Sequence, residues 1–115
     1  MARYTCSTTV EIPLGSLYPV LHETLEACNL SILHNSADYL VAREPAGKVP
    51  FSQLVVTEVL VNTTMAKGDR ISLQFICKNE ELPLKSNNHC EQVFRRLSDR
   101  LQQTNEWKLV DFVAA

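Results

Sequence analysis

The hydrophobic pattern of the chain alternates between the two-residue period of a strand and the longer period of a helix, and each switch marks an element. Over residues 3–12, Tyr4, Cys6, Thr8, Val10 and Ile12 fall on one side and Arg3, Thr5, Ser7, Thr9 and Glu11 on the other, which predicts a half-buried strand. Pro13 closes it. Leu14, Leu17, Tyr18, Leu21, Leu25 and Cys28 then recur at spacings of three and four, the stripe of an amphipathic helix whose other face carries Glu23 and Glu26. Ser16 is placed to cap this helix, Pro19 falls near its start, where a missing N–H costs least, and Asn29 suits the left-handed residue that ends it.

Residues 30–34 and 38–44 are short branched and aromatic runs around Asn35-Ser36-Ala37, and predict a hairpin. Residues 45–50 hold two prolines and a glycine and predict an exposed loop. The densest apolar stretch follows at residues 51–78, two strand-like arms joined across residues 64–69 by a turn ending in Lys67-Gly68-Asp69. In the second arm Ile71, Leu73, Phe75 and Cys77 alternate with Arg70, Ser72, Gln74 and Lys78, and Ile76 is the apolar exception. In the first arm Val55, Val59 and Val61 alternate with Leu54, Val56 and Leu60, so both faces are apolar, as in a central strand covered on two sides.

Past an acidic, proline-broken loop at residues 79–85, Cys90, Val93, Phe94, Leu97 and Leu101 make the stripe of a second helix. Ser86, Asn87 and Asn88 are candidate caps, and Glu91 three residues after Asn88 completes a box-like start. Residues 107–113 alternate weakly and predict a short edge strand or a packed tail.

The predicted fold class is α+β: one domain over residues 1–115, in the order β-α-β-β-β-β-α with an optional short C-terminal strand, its antiparallel sheet carrying the helices on one face. That order of elements resembles the halves of TATA-binding proteins (TBP-like) and, with fewer strands, the helix-grip domains of lipid carriers and plant allergens. The resemblance implies a curved sheet with helices on its concave face.

With 45% hydrophobic and 21% charged residues the chain is globular, and its net charge of −2 exerts no general pull on nucleic acid or anionic lipid. There is no apolar leader-like segment and no run of about 18 apolar residues. The expectation is a cytoplasmic protein with no nucleic-acid or membrane partner. Cys6, Cys28, Cys77 and Cys90 form no C-x-x-C pair and no zinc-ligand spacing with the histidines, so reduced thiols, no metal and no cofactor are expected. The isolated glycines exclude a phosphate-binding fingerprint.

Chemistry concentrates at Asn87-Asn88-His89-Cys90-Glu91, where a helix N-terminus lowers a thiol pKa and a Cys/His pair acts as nucleophile and base. Against this, Cys90 lies in the middle of the apolar stripe, and adjacent helical residues do not face each other. The competing reading makes Cys90 a packed small hydrophobe. Glu58 is the one acid inside the apolar run 54–61, either unusually buried or solvent-facing at a twist.

If Val55, Val59 and Val61 pack under the helices, then Leu54, Val56, Leu60 and Ile76 share the opposite face, an apolar surface that one helical layer does not cover. The expected function is a non-catalytic binding or assembly module, self-associating as a homo-oligomer through the sheet or docking a protein partner there. The alternative is a carrier or enzyme for a small hydrophobic ligand, with a pocket between sheet and C-terminal helix lined by Tyr39, Phe75, Phe94 and Trp107.

Overall fold

A computed structural model describes residues 1–63, 68–82 and 88–114. The elements run β1 (Ala2–Glu11), α1 (Leu14–Ala27), β2 (Ser31–Asn35), β3 (Tyr39–Arg43), β4 (Val56–Asn62), β5 (Arg70–Asn79), α2 (His89–Gln103) and β6 (Lys108–Ala114). The fold is α+β. Its six strands form one antiparallel sheet in the order β2-β3-β4-β5-β1-β6, which puts the central pair β4–β5 beside the N-terminal strand and leaves β2 and β6 at the edges.

Both helices lie on one face. Leu17, Leu21 and Leu25 of α1 and Val93, Leu97 and Leu101 of α2 enter a single core with Cys6, Val10, Leu40, Val59, Leu73 and Phe75 from the sheet. The alternation in β1 follows directly: residues of even number from Ala2 to Val10 face the helices, with Tyr4 half-buried among fully buried neighbours. Trp107 is buried in the same core and donates its indole N–H to the Leu101 carbonyl at 3.3 Å. Asn29 ends α1 at φ 63°, the left-handed conformation its short polar side chain tolerates.

Several local expectations shift. Pro13, not Ser16, occupies the N-cap of α1 and no side chain caps it; Ser16 instead donates its backbone N–H to the Pro13 carbonyl at 2.9 Å. Pro19 sits inside α1, beyond the first turn. The first central arm starts late: Phe51–Gln53 is a 3₁₀ turn, and β4 begins only at Val56. The C-terminal segment is a full strand, β6, paired with β1 across a bulge near Val10. Asn88 caps α2, its side chain accepting the Glu91 N–H at 2.9 Å; Ser86, Asn87 and Lys67 of the expected caps and turn lie outside the described residues. Among the described residues, no helix is long and apolar enough to cross a membrane.

Candidate binding surface on the open sheet face

The face away from the helices is built by the other half of each strand's alternation. Register turns it into rows. Arg43, Val56, Lys78 and Arg3 are cross-strand neighbours at one end; Val41, Glu58, Ile76 and Thr5 follow, then Tyr39, Leu60, Gln74, Ser7 and Val113, then Asn62, Ser72, Thr9 and Asp111. Arg70, Glu11 and Lys108 end the face, with the Arg70 Nε–Glu11 Oε1 pair at 3.0 Å.

The four expected interface residues do not form one apolar patch. Leu54 and Ile76 are each only 7% exposed, although neither joins the main core. Ile76 lies beside Glu58 in register, and Glu58 forms an ion pair with Lys78 and accepts the Tyr39 hydroxyl at 3.1 Å, so this polar trio crosses the face between Val56 and Leu60. Glu58 is thus neither fully buried nor idle on the surface: its half-buried carboxylate is held by Lys78 and Tyr39. The hydrogen bond from Lys78 comes first among the causes that hold its carboxyl below the usual range; Tyr39 and the Arg3 charge add to it against partial burial. Burial and the Glu58 contact push the Tyr39 phenol up in turn.

Leu60 is 37% exposed, and Val113 across the sheet is 62% exposed. Between them runs a shallow trough of about 500 Å³ floored by Ser7, Thr9, Ser72 and Gln74. Short Ser7 and Thr9 on β1 and Ser72 on β5 lie between the larger Leu60 on β4 and Val113 on β6. Val113, Ser7 and Ser72 were not legible as site residues: in sequence they are the polar or weakly patterned half of an ordinary alternation.

The start of α2 brings together a second polar group. His89 Nε2 lies 2.8 and 3.0 Å from the two oxygens of Glu44, and Glu44 Oε1 also accepts the Val55 N–H at 2.9 Å. Glu81 accepts the Cys90 N–H at 3.0 Å, the His89 N–H at 3.4 Å and the Asn79 side-chain amide at 2.5 Å. Burial raises the Glu81 carboxyl, but these hydrogen bonds outweigh it and hold the pKa below 4.5. The anion that a helix N-terminus favours is therefore supplied from within the chain.

Cys90 does not meet the requirements of a nucleophile. Its side chain is fully buried, and burial pushes the thiol up to about 12, where no thiolate forms at neutral pH. His89 points to Glu44 instead of the thiol. Cys6 and Cys77 are buried likewise, with thiols near 11 and 12. Among the described residues no group of histidines, cysteines and carboxylates is arranged to hold a metal.

The expected pocket residues are not gathered either. Tyr39 lies on the open face, paired with Leu60, whereas Phe75 and Trp107 lie on the helical side in the core. Phe94 stacks on Tyr4 with ring centroids 5.6 Å apart, and the Tyr4 hydroxyl accepts the Asn88 side-chain amide at 2.8 Å. No protein-family model matches the chain, and no curated protein matches it either.

Proposed function

We propose that this protein is a non-catalytic assembly module that pairs with a second copy of itself through the open sheet face. The observation that carries this reading is the trough flanked by exposed Leu60 and Val113 and floored by the polar residues Ser7, Thr9, Ser72 and Gln74. A two-fold axis makes such a surface self-complementary: Leu60 of each copy seats over the Ser7 and Ser72 floor of the other, in the manner of face-to-face sheet packing. The resemblance of element order to TBP-like and helix-grip domains supports a scaffold in which helices hold the sheet and the sheet meets the partner.

Area sets the strength. Six strands at roughly 4.8 Å spacing and about seven residues at roughly 3.3 Å each give a face of about 650 Å². That is of the same order as the roughly 800 Å² that a standard-size interface takes from each partner, and the polar floor favours a reversible pair. Polar Ser72, Gln74 and Thr9 on the floor point the same way, because they can remain hydrated in the free monomer. Light scattering over a range from about 10 µM to about 1 mM tests it, the span in which a weak pair dissociates. The average mass is expected to rise from 13.0 kDa toward twice that value. A constant 13.0 kDa across the range overturns the proposal.

A further inference from the structure

The basic end of the sheet adjoins a cleft that the trough does not include. Phe51, Leu54 and Val56 give it apolar walls, and Arg43, Lys78 and Glu80 stand at its rim, around a volume of about 210 Å³. The cleft arises from the late start of β4. Because Phe51–Gln53 turns before the strand begins, Phe51 projects into solvent at 78% exposure while Leu54 folds back to 7%. The Glu80 N–H holds the facing loop to this turn through the Ser52 carbonyl at 3.2 Å.

The charges here are unequal. Arg43, Lys78 and Arg3 occupy one row of the sheet, and Lys78 is engaged by Glu58. Arg43 forms no ion pair among the described residues, and its partner in register is the apolar Val56. Of the charged side chains that line the cleft, Arg43 and Lys78 stand against Glu80, which leaves one net positive side-chain charge beside an apolar wall. An arginine fork in that position matches a carboxylate in two parallel hydrogen bonds.

We propose that this cleft binds a small apolar carboxylate, its ring or short chain against Phe51, Leu54 and Val56 and its acid group on Arg43. Size selects the class: the volume equals about seven waters at roughly 30 Å³ each, below the roughly 300–1,000 Å³ of drug-sized sites. A single aromatic ring with a short acid tail matches this volume.

Titration of the isotope-labelled full chain with 3-phenylpropionate, followed by amide chemical shifts, tests the site against the neutral 3-phenylpropionamide. Saturable shifts centred on Leu54, Val56 and Lys78 are expected, with the acid binding about tenfold tighter than the amide, as a charge-assisted hydrogen bond provides. Arg43→Gln is expected to abolish that preference, and Phe51→Ser to weaken both probes without unfolding the chain, because Phe51 is exposed. Equal affinities for acid and amide overturn the proposal, as do shifts confined to Leu60 and Val113 or an absence of saturation by either probe.

Discussion

His89 and Glu44, 45 residues apart in sequence, meet side chain to side chain, with Nε2 of the imidazole 2.8 Å from one carboxylate oxygen and 3.0 Å from the other. The contact ties the first residue of α2 to the end of β3. Glu44 is buried, its carboxylate also accepts the Val55 N–H, and its backbone N–H donates to the Val55 carbonyl, so the pair also fixes where β3 hands over to β4.

Removing the imidazole leaves a buried carboxylate short of a donor. His89→Ala is expected to lower stability by about 1–3 kcal/mol, the usual cost of leaving a buried polar group unsatisfied. Chemical denaturation of His89→Ala, Glu44→Gln and the double variant measures the coupling. A coupling of about 1 kcal/mol or more is expected, and additivity within about 0.5 kcal/mol would show that the contact contributes nothing of its own.

Glu81 predicts how stability follows pH. Its folded-state pKa lies below the ordinary 4.5, so its contribution is complete above that value and is lost as pH falls through the lower, folded value. Glu58 and Glu11 are shifted in the same direction, chiefly by their Lys78 and Arg70 hydrogen bonds, and contribute with the same sign. Thermal melting should therefore fall on acidification below about pH 4.5. Glu81→Gln should cost about 1 kcal/mol at pH 7, the scale of a helix N-terminal anion, and should flatten the acid limb. An unchanged acid limb in the variant contradicts the assignment.

The thiols give a third measurement. Cys6, Cys28, Cys77 and Cys90 are free and buried, and burial raises each thiol pKa. Iodoacetamide at neutral pH is expected to label none of them in the folded chain and all of them in denaturant, as read by intact mass. Rapid native labelling of Cys90 would restore the nucleophile reading.

What could be foreseen depended on how local its cause is. The β1 alternation and the Cys90-Val93-Phe94-Leu97-Leu101 stripe were legible because one buried face imposes a period on consecutive residues, and all five stripe residues are buried. The β2–β3 hairpin was legible from its turn formers. The polar neighbour of Ile76 on this face was not legible because it is lateral: Glu58 sits beside it only once β4 and β5 are paired. The Glu44–His89 contact depends on the same kind of distant placement, and nothing in either residue's neighbours announces the other. The trough is harder still to foresee, since short Ser7 and Ser72 acquire meaning only from Leu60 and Val113 on the flanking strands.

Sedimentation velocity at about 200 µM, well inside the range of weak association, tests most directly whether the open face joins two copies. Leu60→Arg leaves the core untouched and places a charge at the wall of the trough; Leu33→Arg, at an exposed position on edge strand β2, serves as the control. The expected result is a concentration-dependent dimer for the wild type and Leu33→Arg, and a monomer of 13.0 kDa for Leu60→Arg. A wild-type chain that sediments as a monomer, or a Leu60→Arg variant that dimerises as the wild type does, contradicts pairing through this face.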